Sequence, residues 1–163
     1  MQITRAADYA VRVMVHFASL PPGARLQKSA LVELSEAPES FLSKVLQRMV
    51  AKGLITSWRG GGGGFELARQ PQEVSVLNVV EAIDGPIYLN LCVPDGRGCE
   101  RSLACAVHPV WVDARAALVK VLRRATMDRL AKKRRVAQSA LPRLPIAARV
   151  ANSSECTTTQ GAS

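Results

Sequence analysis

The chain has 163 residues, of which 48% are hydrophobic and only 4% aromatic, so we expect one packed core of aliphatic side chains with room for an appended element. The formal net charge of +9 favours a polyanionic partner, with nucleic acid ahead of an anionic membrane. The chain lacks a run of about 18 apolar residues and a basic start followed by an apolar leader, so neither a membrane span nor a secretion signal is expected. Its four cysteines are therefore expected to act as thiols or metal ligands in the cytoplasm.

Three helices are predicted in the N-terminal third of the chain. Apolar residues recur at three- and four-residue spacing over residues 4–20, which predicts a helix that Thr4 can cap. A short helix is predicted over residues 28–36, and a further helix over residues 39–52, which Gly53 ends. The tight break between the last two helices predicts a helix–turn–helix.

The outer face of the predicted 39–52 helix is small, polar and basic. Phe41, Leu42, Val45, Leu46 and Met49 are predicted to share the opposite, buried side. Short polar and long basic side chains can reach base edges and phosphates from a major groove, whereas an ordinary solvated face is the alternative. The side chains of this helix that we predict to contact DNA are Ser40, Ser43, Lys44, Gln47 and Arg48.

A glycine-rich hairpin is predicted next. Strands over residues 54–58 and 65–67 flank an arginine and five consecutive glycines, a pattern typical of a β-hairpin wing. Glycine lets the backbone approach a phosphate closely, and an arginine gains from the negative potential of a narrow minor groove. A flexible linker is one alternative, and a nucleotide-binding loop is another that lacks the spaced Gly-Lys-Ser/Thr of a P-loop. The predicted DNA contacts here are Arg59, Gly60, Gly62 and Gly63.

The remaining pattern is helical at first and then becomes irregular. A helix over residues 76–83 is predicted with Ser75 as its cap, followed after a loop by a helix that starts at His108 or Pro109 and runs to residue 124. The fold class is therefore mainly α with a small β-hairpin wing. The predicted organisation is a winged helix-turn-helix domain (1–85), a cysteine loop (86–107), a long helix with a basic extension from residue 126 (108–137) and a disordered tail (138–163).

The cysteine loop carries a candidate metal centre. Cys92, Cys99, Cys105 and His108 lie within seventeen residues, and thiolates suit zinc or an iron–sulfur cluster. The spacing lacks the close Cys-x-x-Cys pairs of structural zinc sites and favours a larger object such as a two-iron cluster. Asp8 in the first helix is a rival fourth ligand. Thiols that act by oxidation are the alternative without metal.

Taken together, these motifs resemble the IscR/NsrR-type family of bacterial winged helix-turn-helix iron–sulfur transcriptional regulators. The match covers roughly residues 1–131. It depends on the Asp8-Tyr-Ala motif, on residues 45–49 followed by Lys-Gly-Leu, and on the glycine-rich run after Arg59. Residues 79–83 and the spaced cysteines, which end in Cys105-Ala-Val-His, complete the match.

The resemblance implies a homodimer in which the 108–124 helix crosses to the partner chain. It also implies an iron–sulfur cluster held by Cys92, Cys99 and Cys105, with His108 fourth as in the IscR branch or Asp8 as in the NsrR branch. We expect [2Fe-2S] ahead of [4Fe-4S].

The expected function is that of a DNA-binding transcriptional regulator, and a repressor in particular, on a palindromic double-stranded operator. Its operator affinity would be controlled by a cluster that senses iron, redox or nitric oxide status. The alternative is a thiol-based redox regulator with the same DNA-binding domain and no cluster. An enzyme is disfavoured because four protein ligands leave no open metal position for water.

Overall fold

The computed structural model describes residues 3–60, 63–90 and 104–140, with side chains up to residue 137. The fold class predicted from the sequence is confirmed: the described chain is mainly helical with one two-stranded hairpin. Its elements are α1 (Arg5–Ala18), α2 (Lys28–Ser35), α3 (Glu39–Ala51), β1 (Ile55–Trp58), β2 (Gly64–Leu67), a 3₁₀ turn (Pro71–Glu73), α4 (Val76–Asp84), α5 (His108–Arg124) and α6 (Met127–Ala140).

Helix α1 is the central element of the fold and packs against α2, α3, α4 and α6. Thr4 caps it, because its Oγ1 accepts a hydrogen bond from the Ala7 N–H at 3.2 Å. The Thr4 hydroxyl and N–H both donate to the Asp84 carboxylate, so the start of α1 is joined to the end of α4. The apolar stripe predicted from the sequence points inward, so α1 places α2 and α3 against one core.

The turn between α2 and α3 is tight and strained. Glu36 follows α2 with φ of 57°, a left-handed conformation that costs a non-glycine residue about 1–3 kcal/mol. The buried Ser35 hydroxyl donates to the Leu31 carbonyl at 2.6 Å, and Ala37 is buried beside it. Burial of Leu31 and Leu42 on either side of the turn holds the two helices together in the predicted helix–turn–helix.

The wing is fixed to the α1–α2 linker as well as to itself. Strands β1 and β2 are antiparallel with Ile55 opposite Leu67, and Leu26 exchanges two 2.9 Å backbone hydrogen bonds with Phe65. Gly64 starts β2 with φ of 148°, and a Cβ built on it would lie 2.6 Å from the Leu26 carbonyl oxygen. Glycine is therefore required at this position for the linker to close over the hairpin.

Replacing Gly64 by alanine is expected to destabilise the protein by about 1–3 kcal/mol, since both the backbone conformation and the linker must give way. Urea unfolding followed by circular dichroism measures this loss. Gly23→Ala is the control, because Gly23 also has positive φ but has open space around its Cβ direction. Equal losses for the two variants would contradict the close approach to Leu26.

The chain after α5 returns to the core of the winged helix. The Met127 N–H donates to the Val74 carbonyl at 2.9 Å, and Met127 and Ala131 are fully buried. The first half of α6 therefore completes the N-terminal domain, although the sequence placed residues 126–137 with the dimerisation helix as a basic extension. Helix α6 also continues to Ala140, past the predicted tail start at 138, and the rest of that predicted tail lies outside the described residues.

His16 joins three helices. It lies half-buried on α1, hydrogen-bonded to the Arg134 guanidinium of α6. Burial lowers the pKa of His16 below its ordinary value, Arg134 lowers it further, and a hydrogen bond with the Leu34 backbone of α2 partly opposes both effects. The neutral imidazole is thus the form that the folded chain favours.

The free energy of unfolding is expected to decline as pH falls from 7.5 to 5.5. The pKa of His16 is lower in the folded state than in the unfolded state. The free energy of unfolding is therefore at its full value above about pH 6.5, where neither state binds the proton, and it falls below that pH because the unfolded state binds the proton first. Urea titrations at several pH values measure the decline. His16→Gln should flatten it, and an unchanged pH dependence in that variant would contradict the assignment.

Candidate nucleic-acid interface and metal centre

The outer face of α3 has the exposure that the sequence predicted. Ser40, Lys44, Gln47 and Arg48 are exposed, whereas Ser43 is half-buried. Leu42, Val45, Leu46 and Met49 hold the helix against the core from the other side. The face therefore presents hydroxyl, amide and cationic groups that match the donors and acceptors of a major groove.

Two of the predicted contacts already have partners within the protein. The Ser43 hydroxyl donates to the Glu39 carbonyl at 2.9 Å, and Arg48 Nη1 donates to the Ile83 carbonyl in the last turn of α4 at 3.2 Å. Lys44 and Gln47, in contrast, make no hydrogen bond or ion pair with any described residue. Ser40 also has no such partner, so Ser40, Lys44 and Gln47 are the predicted contacts on α3 that are exposed and unpaired among the described residues.

The prediction that Phe41 is buried is wrong. Its side chain is 38% exposed and packs edge to face against Tyr9 of α1, with ring centroids 5.8 Å apart. Helical periodicity gives the direction of a side chain but not the edge of the domain, and Phe41 lies in the first turn of α3, where that edge is reached. An exposed aromatic ring therefore borders the groove between α1 and the outer face of α3.

The base of the wing is stiffened by a contact that the sequence did not predict. The Arg25 guanidinium stacks 4.2 Å from the centre of the Trp58 ring and pairs with Glu66 at 2.9 Å. These residues lie far apart in sequence, so no local pattern could have identified them. The stack fixes the direction in which β1 leads to Arg59, which is exposed at the tip.

Gly60 and Gly63, on either side of the tip, are joined by a backbone hydrogen bond. The Gly63 N–H donates to the Gly60 carbonyl at 2.9 Å, and a Cβ on Gly63 would lie 2.6 Å from the Trp58 carbonyl oxygen. Gly60 itself has φ of 96°. Gly62, also predicted to contact DNA, lies outside the described residues. Glycine is therefore favoured at Gly60 and Gly63 by the backbone of the tip itself. The prediction that these glycines let the backbone approach a phosphate closely stays a prediction.

Near the N-terminus of α3, one cation is already neutralised. Lys28 Nζ lies 2.7 Å from the Glu39 carboxylate, and the hydrogen bond and charge of Lys28 lower the pKa of Glu39. The ion pair joins the start of α2 to the start of α3. Lys28 therefore contributes less to an anion-binding surface than its charge alone implies.

Two of the predicted metal ligands, Cys105 and His108, lie together at the start of α5. The His108 N–H donates to the Cys105 carbonyl at 3.1 Å, and both side chains are half-buried. The His108 Nδ1 is fully buried and has no hydrogen-bond partner among the described residues. A buried polar nitrogen without a partner costs about 1–3 kcal/mol, so this position favours an additional group at the imidazole.

The other predicted ligands are not joined to this pair. Cys92 and Cys99 lie outside the described residues, and within the described ranges no three His, Cys, Asp or Glu side chains are grouped as a metal site. Asp8 is half-exposed and pairs with Arg12 at 2.9 Å, one turn away on α1. Such a pair is an ordinary contact between exposed side chains one turn apart on a helix, and the metal role of Asp8 stays a prediction.

The described residues on both sides of residues 91–103 lie near the N-terminal end of α5. In the first residues of the loop, the Ile87 carbonyl accepts a 2.7 Å hydrogen bond from Arg115 Nε, and the Arg115 guanidinium lies 5.9 Å from the centre of the Tyr88 ring. Turning the Asn90 amide so that its oxygen faces Trp111 allows a 3.0 Å hydrogen bond from the indole N–H. The chain on both sides of residues 91–103 is therefore held against the first two turns of α5.

An apolar stripe runs along the outside of α5. Val110, Ala114, Ala117 and Val121 follow helical spacing and are all exposed, with Val121 64% exposed. The inner side packs against the core only through the half-buried Leu118, Val119 and Leu122, and α5 contains no fully buried residue. Within the described chain, α5 thus has an apolar face without a covering element.

A family model described as Rrf2, "Iron-dependent Transcriptional regulator", matches residues 3–133 of the chain. The chain belongs to the Rrf2 family. It is 32% identical over 127 residues to an HTH-type transcriptional regulator of Mycobacterium tuberculosis, covering 78% of this chain and 79% of that protein. It is 28% identical over 137 residues to the regulator IscR of Pectobacterium carotovorum, covering 83% of this chain and 82% of that protein.

A solved structure gives the same fold at lower identity. CymR (YrzC), the global cysteine regulator of B. subtilis, superposes with a TM-score of 0.66 at 22% identity, covering 82% of this chain and 98% of that chain. The family predicted from the sequence is confirmed, and the named relatives are transcriptional regulators, in agreement with the expectation that the chain is not an enzyme. No helix in the described ranges is long and apolar enough to span a membrane.

Proposed function

We propose that this Rrf2-family chain represses transcription at a palindromic operator, with an affinity set by an iron–sulfur cluster that senses iron, redox or nitric oxide status. The observation that carries the proposal is the buried, unpartnered His108 Nδ1 beside the Cys105 main chain at the start of α5. Similarity to IscR and the "iron-dependent" description of the family model support it.

The residues present fit a cluster with thiolate and imidazole ligands. Cys92, Cys99, Cys105 and His108 would hold it, with Asp8 as the alternative fourth ligand. When bound, a cluster of this kind supplies redox chemistry and reactivity towards nitric oxide and oxygen. The larger spacing between the cysteines favours [2Fe-2S] over [4Fe-4S]. Cys105 and His108 lie three residues apart at the start of α5, joined by the backbone hydrogen bond from His108 to Cys105, which supports a shared role.

Residues 83–90 offer a physical connection between the cysteine loop and α3. Arg115 holds the Ile87 carbonyl, the Ile87 side chain is buried, and Arg48 of α3 holds the Ile83 carbonyl. Asp84 in the same segment binds the cap of α1. A change at the start of the loop would therefore act on hydrogen bonds that position the DNA-reading helix.

The apolar stripe of α5 is the proposed homodimer interface, with a second copy of the chain as its occupant. A palindromic operator needs two recognition helices, about 34–36 Å apart or a multiple of this distance. A symmetric pair of α5 helices would cover the stripe and set that spacing. Because the cysteine loop is attached to the same helix, the state of the cluster could change the spacing.

Placing a carboxylate on the stripe is expected to break the dimer. Ala117→Glu should raise the dimer dissociation constant at least about tenfold, since the charge would be buried against apolar residues. Ala116→Glu is the matched control, because the neighbouring alanine is exposed on another side of α5. Light scattering over a concentration series measures both. Equal dissociation constants for the two variants would contradict the proposed interface.

The experiment for the function as a whole is selection of DNA by the protein. Anaerobically purified protein is loaded with iron and sulfide or stripped with a chelator, and each form is used to select duplexes from a random library. We expect a palindromic sequence whose affinity differs between the two forms by about tenfold or more, measured by fluorescence anisotropy. Equal operator affinities of the loaded and stripped forms would contradict the sensor role. Failure to select any sequence would contradict the DNA-binding function.

A thiol-based redox regulator is the second candidate. The likeness of the fold to CymR favours it, and Cys105 is a half-buried free thiol among the described residues. In this case anaerobically prepared protein would be colourless, and DNA affinity would respond to peroxide or a disulfide instead of iron.

A further inference from the structure

The positive charge of the chain is concentrated outside the winged helix. Residues 1–85 contain nine Lys or Arg and eight Asp or Glu, so this region is nearly neutral. Residues 120–135 contain eight Lys or Arg and a single acid, Asp128. Most of the net charge of +9 therefore belongs to the end of α5 and to α6, and the α3 surface does not account for it.

Four of these cations form an exposed surface on α6, which we call the α6 cationic face: Arg129, Lys132, Lys133 and Arg135. At 100° per residue the first three lie opposite the buried Met127 and Ala131, with Arg135 at the edge. Lys132 is 3.5 Å from Asp128, and in the described chain no other carboxylate lies within ion-pair distance of the four. The α6 cationic face is thus largely uncompensated.

This surface is carried rigidly by the DNA-reading domain. Met127 and Ala131 are buried in the same core as α1 and α3. Farther along α6, Arg134 is hydrogen-bonded to His16, which itself contacts the Leu34 backbone of α2. The second half of α6 therefore lies beside the helix–turn–helix, and its cations keep a fixed position relative to α3.

We propose that the α6 cationic face binds the phosphate backbone of duplex DNA, as a second contact surface separate from α3 and the wing. An ordinary solvated surface would mix both signs of charge, as residues 1–85 do, and the self-repulsion of clustered cations is relieved by a polyanion. A membrane surface fits less well, because an interfacial helix needs an exposed apolar face, and α6 turns Met127 and Ala131 into the core.

The inference rests on the proposed DNA-binding function and adds a sequence-independent component to it. Each chain would hold DNA at base edges through α3 and at phosphates through α6. Contacts of the second kind contribute affinity and salt dependence without sequence preference. They would also favour association with DNA before the operator is found.

The test is the salt dependence of binding by a variant in which all four cations become glutamine: Arg129→Gln, Lys132→Gln, Lys133→Gln and Arg135→Gln. The matched control conserves every charge: Arg129→Lys, Lys132→Arg, Lys133→Arg and Arg135→Lys. Anisotropy titrations use the selected operator and a random duplex at several salt concentrations. Because each phosphate contact contributes about 0.9 to the slope of log K against log salt, we expect the glutamine variant to lose about 2–4 in slope.

Affinity for the random duplex at low salt is expected to fall at least about tenfold in the glutamine variant, with an unchanged operator-to-random ratio and melting temperature. The charge-conserving control should behave as the wild type. A wild-type slope in the glutamine variant, or equal losses in both variants, would overturn the inference alone. Failure of the wild type to bind any duplex would overturn the proposed function as well. Binding of anionic vesicles in place of DNA would overturn the inference and indicate that the α6 cationic face binds a membrane.

Discussion

The Cys105→Ala variant is expected to retain less than about a tenth of the iron and acid-labile sulfide bound by the wild type. In the proposed ligand set Cys105 is one of three thiolates and is hydrogen-bonded through its carbonyl to the His108 backbone, so its loss would leave the cluster with too few ligands. The difference in operator affinity between loaded and stripped protein should disappear with it. Iron and sulfide assays after anaerobic reconstitution measure the first effect, and anisotropy measures the second.

Cys156→Ala is the control for that experiment, because it removes the fourth cysteine, which lies outside the predicted ligand set. It should bind iron and DNA as the wild type does. Full iron and sulfide in the Cys105 variant, or equal losses in the Cys156 variant, would contradict the assignment of ligands.

The Arg59→Ala variant is expected to lower operator affinity about 10–100-fold, or about 1.4–2.7 kcal/mol. Arg59 is exposed at the wing tip, next to the end of β1 that the Trp58–Arg25 stack fixes, and we propose that its side chain enters a minor groove. Anisotropy with the selected operator at constant salt measures the loss. Arg59→Lys separates shape from charge, since lysine conserves the charge without the planar guanidinium.

Arg69→Ala gives the comparison for a cation outside the tip. Arg69 is also exposed, but it follows β2 and borders the groove between the wing base and the end of α1. We expect a loss below about threefold, as for a single distant phosphate contact. Equal losses at Arg59 and Arg69 would contradict a specific role for the wing tip.

The energies at the 83–90 segment are large enough for the proposed control of DNA binding. A tenfold change in affinity requires about 1.4 kcal/mol. Hydrogen bonds of the kind that Arg48, Thr4 and Arg115 make with this segment each contribute about 0.5–1.5 kcal/mol. Loss or gain of one or two of them with cluster state would therefore suffice.

Local signals predicted most of the secondary structure. Thr4 and Ser75 cap α1 and α4 as their sequence positions indicated, and Gly53 follows the end of α3. These features depend on residues within one turn of each other. Periodicity also identified the inward faces of α1 and α3 correctly, apart from Phe41, whose exposure depends on where the domain ends.

Long-range contacts could not be predicted in the same way. Two residues of α6, Met127 and Ala131, complete the core, although the surrounding sequence is dominated by cations. Arg48 was predicted as a DNA contact, but its bond to the Ile83 carbonyl joins residues 35 positions apart. For the proposed metal centre, the sequence predicted four ligands, of which the structure describes Cys105 and His108.

Iron and acid-labile sulfide per chain, measured together with the absorption spectrum of protein isolated without air, test the central claim most directly. We expect coloured protein with about two irons and two sulfides per chain, and loss of both on Cys105→Ala. Colourless wild-type protein that remains free of iron and sulfide after reconstitution would contradict the account.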